Sequence, residues 1–320
     1  MITVVIPLYN KVAYIERAVR SVIAQSFEDW ELIVVDDLST DGSKEVVLSI
    51  KDPRIRLISL SENGGVSNAR NVGVLNASYE WVAFLDADDE FLLNWLDFCC
   101  AAIKRYQRDI VITSAYYIDI GSDKFLVSGW NCIDSHSMQY EFYTGDFFQM
   151  SLKGNPVITS SCVCVPRASL IAFEGFPVGI KSGEDLTVWA LISADHKIIA
   201  SKNPNSVYHR STNLDATWSN WFGSKLHPDW RLLGDKLIKI NSSHGGVLTS
   251  SIELWIDKML RDDVKKAIFF GSKDSLKLLS AIKNRRILLD TVLTIFSMLP
   301  PIFFKSFVLL KNYFLWWRRV

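Results

Sequence analysis

The sequence predicts an α/β fold: a mainly parallel sheet flanked by helices, with a helical C-terminal extension. Three observations carry this. Apolar runs of strand length alternate with helix-length segments through the first hundred residues. Four of these runs end in unusual polar residues. Beyond Asn220 the pattern is helical. A chain of 320 residues accommodates an α/β domain, placed at 1–215, and a helical region at 216–320.

The elements follow in order. Ile2–Leu8 reads as the first strand, with Pro7 expected to stop it. Tyr14–Gln25 carries Ile15, Ala18, Val19, Val22 and Ile23 at helical spacing. Trp30–Val35 and Ile55–Leu60 read as strands, with a helix over Ser43–Ile50 between them. A helix entered from Gly64-Gly65 covers Val66–Leu75. Trp81–Leu85 is a fourth strand, Leu92–Tyr106 a helix, and Ile110–Tyr117 a continuation of the sheet. Strands separated in this way form right-handed βαβ units. From Gly121 to Pro156 glycine, serine, aspartate and aromatic residues mix, which predicts loops and short strands over the active face. Val157–Val165 reads as a strand and Gly183–Ala194 as a helix. Short strands follow near Lys197–Ala200 and Ser206–His209.

Composition narrows the function. Lys+Arg and Asp+Glu are equal at 35 each, so no overall field points to nucleic acid. The five cysteines, Cys99, Cys100, Cys132, Cys162 and Cys164, lack paired or zinc-type spacing and read as reduced thiols. The chain opens directly on a strand, without the pattern of a secretory signal. A cytoplasmic location is expected. From Lys283 to Val320 there are seven Lys or Arg and one acidic residue, Asp290. Asp290 and Pro300-Pro301 interrupt the apolar stretches between them, which favours a segment lying on a membrane surface over one crossing it. The alternative is a buried helical hairpin.

The strongest chemical signal is Asp86-Ala87-Asp88-Asp89, which follows the apolar run Trp81–Leu85. Three carboxylates at a strand's carboxyl end repel one another, and a divalent cation between them relieves this. Such hard cations take oxygen ligands and bridge to substrate phosphates. The plain alternative is a solvated loop with Asp89 as the N-cap of the next helix. Three other strand ends join this one on a common rim. They are Pro7-Leu8-Tyr9-Asn10, Asp36-Asp37-Leu38-Ser39-Thr40-Asp41-Gly42, and Asn63-Gly64-Gly65 with Arg70 in the helix behind it. A flat ring, a carboxylate, an arginine and a metal cluster together describe a nucleotide-diphosphate pocket. Asp37-x-Ser39-x-Asp41-Gly42 opens like an EF-hand loop, but Leu48 occupies the place of the bidentate glutamate. A dinucleotide fingerprint needs its glycines after the first strand, where Pro7-Leu8-Tyr9 stands.

The order and identity of these motifs resemble family 2 inverting glycosyltransferases with the Rossmann-like GT-A fold, over roughly residues 1–209. The resemblance implies a nucleotide-sugar donor, usually a UDP-sugar, and a divalent metal, Mn²⁺ or Mg²⁺. It makes Asp86 and Asp88 the Asp-x-Asp motif, with Asp88 on the metal and Asp86 reaching either the ribose or, through water, the metal. It places Pro7, Tyr9, Asp37 and Arg70 around the nucleotide. Gly183-Glu184-Asp185 matches the family's acidic pair at a helix start, with Glu184 a substrate contact and Asp185 the base. Acidic first turns also complement a helix dipole without any catalytic role. His209, after a strand, is the candidate second metal ligand. The basic, apolar tail favours a lipid-linked acceptor at the inner face of the cell membrane, and the resemblance implies a growing polysaccharide in bacterial surface-polysaccharide assembly as the wider context. A sugar nucleotidyltransferase and a non-catalytic sugar-nucleotide-binding protein are the competing readings. The first lacks a Gly-rich basic loop after the first strand, and intact Asp86, Asp88 and Asp185 argue against the second.

Overall fold

The computed structural model describes residues 1–107, 109–120, 123–127, 131–134, 141–152, 157–180, 182–209 and 228–269. The basic C-terminal segment lies outside the described residues, as does the side chain of Cys132.

The strands are β1 (Ile2–Leu8), β2 (Trp30–Asp36), β3 (Ile55–Ser59), β4 (Trp81–Phe84), β5 (Glu90–Phe91), β6 (Ile110–Ile120), β7 (Asp123–Val127), β8 (Asn131–Asp134), β9 (Phe142–Thr144), β10 (Val163–Pro166) and β11 (Lys197–His209). The helices are α1 (Ile15–Ile23), α2 (Ser43–Ser49), α3 (Gly65–Asn76), α4 (Trp95–Tyr106), α5 (Phe147–Ser151), α6 (Arg167–Ala172), α7 (Glu184–Asp195), α8 (Trp230–Ser243) and α9 (Thr249–Phe269). They flank one mixed sheet of order β3-β2-β1-β4-β10-β6-β11-β9-β8. The pairs β1–β2, β2–β3 and β1–β4 are parallel, as the sequence predicts. Beyond β4 the pattern changes, because β10 runs antiparallel to both β4 and β6.

Besides shifts of a few residues at other ends, three features differ from the sequence reading. Pro7 does not stop β1, which keeps pairing with β2 through Leu8↔Asp36. Its missing N–H falls on the β4 side, where the β1–β4 ladder has already ended at Val5↔Phe84. Val157–Val165 divides into a 3₁₀ turn at Ser160–Cys162 and β10. The two short strands after Lys197 are one strand, β11, with register shifts around Pro204.

Alternation along the central strands builds a core on each face. Ile2, Val4, Ile6 and Leu8 join Ile15, Ala18, Val19 and Val22 of α1 on one side. Val5, Phe84, Val163 and Val165 face the other, with Trp189 of α7. Trp230 and Leu237 of α8, with Trp255 and Leu260 of α9, belong to that second core. Among the described residues, these two helices therefore share their packing with the sheet.

Two contacts set the positions of the helices that bear the site. Phe84, Phe176 and Trp189 form a ring cluster with centroids 5.2–5.8 Å apart. It locks α7 to β4 one helical turn after Asp185 and two residues before Asp86. Gly73 lets α3 lie against β1, since a Cβ there would sit 2.3 Å from Val5 Cγ1. Gly73→Ala is expected to cost about 1–3 kcal/mol through overpacking, read as a lowered thermal midpoint. An unchanged midpoint would show that α3 has slack over β1.

Candidate active site

The chain passes from β1 to β2 and β3 on one side, then returns to place β4 on the other. The gap between β1 and β4 is thus a topological switch point, where ligands bind in open α/β sheets. A cleft opens there, lined by Pro7, Tyr9, Lys11, Asp37, Arg70, Asp86 and Asp88 among others.

The first wall is the loop after β1. Tyr9 is 49% exposed, so its ring is free to meet a ligand. The next residues are clamped by the loop after β2. Asn10 N–H donates to Ser39 Oγ at 3.1 Å and Lys11 N–H to Ser43 Oγ at 2.8 Å. Val12 N–H donates to Asp41 Oδ2 at 2.9 Å. The stretch that imitates the start of an EF-hand is therefore a turn that holds the β1 loop.

Asp37 sits in the cleft wall but is buried. Its two carboxylate oxygens accept the N–H groups of Gly64 and Gly65, each at 2.8 Å. It anchors the start of α3, and α3 carries Arg70 in its second turn. Arg70 is also buried. Its guanidinium donates to Asp86 Oδ1 at 2.8 Å and Glu184 Oε1 at 3.2 Å, and lies 5.2 Å from the Phe176 ring centre. Burial opposes the Arg70 charge, but Asp86, Glu184 and Asp185 outweigh it and hold the pKa above the ordinary value. The expectation that Arg70 grips the nucleotide meets an arginine whose charge is already shared by two carboxylates.

The three clustered aspartates do not crowd one cation here. Asp86 turns to Arg70, Asp88 to the Lys11 ammonium at 2.5 Å, and Asp89 inward. Asp89 is fully buried and is not the N-cap of α4, a place taken by Asn94. Ser161 Oγ donates to Asp89 Oδ2 at 2.5 Å and accepts the Asp86 N–H at 3.1 Å. The His209 N–H donates to Asp89 Oδ1 at 2.9 Å. Burial first, then the charges of Asp86 and Asp88, push the Asp89 pKa well up. The guanidinium of Arg17, on α1, donates to the Asp88 carbonyl. The Asp86–Asp89 turn is thus braced from α1, from the 3₁₀ turn and from β11.

His209 Nε2 lies 3.1 Å from Glu90 Oε1, and Nδ1 lies 3.5 Å from Asp119 Oδ2. Its ring faces these two carboxylates, and only its main-chain N–H reaches the aspartate turn. Ser169, His196 and Asp195 make a second chain of contacts, at 2.6 and 2.8 Å. All three lie outside the cleft lining and tie α6 to the end of α7.

Glu184 and Asp185 open α7. Gly183 before them has φ +82°, a left-handed turn that favours glycine. Asp185 retains some surface exposure yet sits deep among protein atoms. Burial, then repulsion from Glu184, push its pKa up to about 7 against the pull of Arg70. Neither residue lines the cleft. Arg70 connects them to it, since one guanidinium holds Glu184 and Asp86.

A divalent metal is implied by the resemblance. Among the described residues no three His, Cys, Asp or Glu side chains come together to hold one. The fuller cage is unnecessary for a hard cation bound by one or two carboxylates plus substrate phosphates. Asp88 fits that mode: its side chain is 33% exposed in the cleft and already holds a cationic group.

Comparison with known proteins shows the family and the fold. The model of the family described as Glycosyl transferase family 2 matches residues 3–170. The chain belongs to this family. Glycosyltransferase GlyG of Streptococcus pneumoniae is 31% identical over 235 residues, which are 68% of this chain and 76% of that protein. An Escherichia coli relative is 27% identical over 236 residues, 73% of this chain and 86% of its own. It is named UDP-Glc:alpha-D-GlcNAc-diphosphoundecaprenol beta-1,3-glucosyltransferase WfgD. The chain spans a smaller share of some relatives, 31% of an uncharacterized glycosyltransferase of Rickettsia felis. Staphylococcus aureus TarS, solved with UDP, has the same fold. Its TM-score is 0.57 at 18% identity, over 92% of this chain and 87% of that one.

Proposed function

We propose that this family 2 member is an inverting glycosyltransferase. It moves a sugar from a nucleotide-diphosphate sugar, a UDP-sugar, to a hydroxyl of a lipid-linked saccharide or polysaccharide. One observation carries the reading: Arg70 joins Asp86, at the switch-point cleft, to the acidic pair that opens α7. A donor subsite and a basic carboxylate thus stand on opposite sides of one buried cation. The donor and acceptor in the name of WfgD support the UDP-sugar and the lipid-linked acceptor.

In this reading Tyr9 stacks on the base, while Pro7 and Asp37 close the wall behind it. Asp185 accepts the proton of the acceptor hydroxyl as its oxygen bonds to the anomeric carbon. The bond from that carbon to the diphosphate oxygen breaks in the same step, which inverts the centre. Glu184 and Arg70 hold Asp185 and Asp86 in register. Asp88, with Asp86 beside it, would hold Mn²⁺ or Mg²⁺, which would supply Lewis-acid neutralisation of charge on the departing diphosphate. A panel of nucleotide sugars, offered with lipid-linked acceptors and read by mass spectrometry, tests this. One donor is expected to be consumed with a product heavier by one sugar, and no consumption from the whole panel would contradict it.

The basic tail supports attachment at the inner membrane face. Its cationic side chains meet anionic headgroups while Phe303, Phe304, Phe307, Trp316 and Trp317 enter the interface. Among the described residues no helix is long and apolar enough to cross a membrane. Truncation before Arg285 is expected to move the protein from membrane to soluble fractions and to lower transfer to a lipid-linked acceptor. A full-length protein wholly in the soluble fraction would overturn the attachment.

A further inference from the structure

Two cationic side chains line the cleft, Lys11 and Arg70. Arg70 is buried and committed to Asp86 and Glu184. Lys11 is placed differently. Its main chain is fixed on both sides: its N–H donates to Ser43 Oγ at 2.8 Å, and its carbonyl accepts from Tyr14 and Ile15 N–H, each at 2.9 Å. Its side chain is 37% exposed and ends on Asp88 Oδ2 at 2.5 Å. The Asp88 main chain is held independently by Arg17. Anchor and target are thus each held through the main chain, while a flexible four-carbon stem, 37% exposed, joins them and carries the ammonium past the Tyr14 ring at 5.9 Å.

We propose that Lys11 is an exchangeable counter-cation, neutralising Asp88 in the donor-free cleft and passing to the donor's diphosphate when a divalent metal takes Asp88. This inference rests on the reading of a metal-dependent nucleotide-sugar site. The charge argument is direct. An ammonium and a divalent ion repel each other on a single carboxylate, so they compete for Asp88. A diphosphate arriving with the ion offers Lys11 a replacement anion, and the same loop that carries Tyr9 delivers it. Metal then binds the free protein weakly and the donor-loaded protein well, which keeps the cleft from holding metal without donor.

The test uses the full chain, with Mn²⁺ alone followed by electron paramagnetic resonance, then UDP with Mn²⁺ followed by calorimetry. Lys11→Met keeps the stem and removes the charge, and Lys11→Arg keeps the charge. Lys11→Met is expected to bind Mn²⁺ alone about tenfold more tightly and UDP with Mn²⁺ about tenfold more weakly. Lys11→Arg is expected to resemble the parent in both. A merely structural lysine would shift the two affinities in the same direction. Unchanged or weakened Mn²⁺ binding by Lys11→Met, or none by either protein, would overturn the exchange. Tighter Mn²⁺ in Lys11→Met, with no UDP binding by the parent, would support the seat on Asp88 and sink the donor reading instead.

Discussion

Asp88→Asn is expected to abolish nearly all turnover while the protein stays folded. The side chain is a third exposed and pairs with Lys11 at the cleft surface, so its loss leaves the buried Asp89 bracing intact. The expected cost comes from chemistry. A Lewis-acid metal supplies several kcal/mol of charge stabilisation to a departing diphosphate, which corresponds to about 10³-fold in rate. Parent activity is correspondingly expected to vanish in EDTA and return with Mn²⁺ or Mg²⁺. Circular dichroism serves as the folding control. Full activity in EDTA, or a variant within a few-fold of the parent, would remove the metal role from Asp88.

Asp185→Asn preserves shape and removes basicity. Losing a general base typically costs about 10²–10⁴-fold, and donor affinity is expected to stay near that of the parent because the base serves the acceptor. The pH dependence gives an independent check. A base acts only when deprotonated, and burial with Glu184 pushes the Asp185 pKa up to about 7. Parent kcat/KM is therefore expected to climb as pH rises through about 7 and then level. The variant is expected to lose that limb. If the variant keeps near-normal turnover and the same limb, the role passes to Glu184, its neighbour on α7.

The legible parts of this protein were those written locally. Trp81–Phe84 announced a buried strand by its apolar run, and the aspartates after it announced a ligand rim. The α1 stripe of Ile15, Ala18, Val19 and Val22 is buried as its spacing requires. Asp185 was legible only through the resemblance, because an acidic first turn has an ordinary electrostatic use. What escaped the sequence is long-range. Lys11 meets Asp88 across 77 positions and Ser161 meets Asp89 across 72. Neither pair leaves a periodic trace in the chain. Repulsion among the three aspartates is legible in the sequence, but its relief by Arg70, Lys11 and Ser161 is not. The antiparallel placement of β10 was equally hidden, since a strand's apolar pattern does not state its direction.

The proposed reaction transfers a sugar and releases a nucleoside diphosphate. The most direct measurement identifies both leaving nucleotide and new linkage in one reaction, by mass spectrometry and proton NMR, with Mn²⁺, donor and lipid-linked acceptor present. The account predicts one nucleoside diphosphate released per sugar transferred, and an anomeric configuration opposite to that of the donor. Sugar 1-phosphate and a nucleoside triphosphate formed from the donor only when pyrophosphate is added would point to a nucleotidyltransferase, retained configuration would contradict single displacement, and tight donor binding without turnover would leave a binding protein.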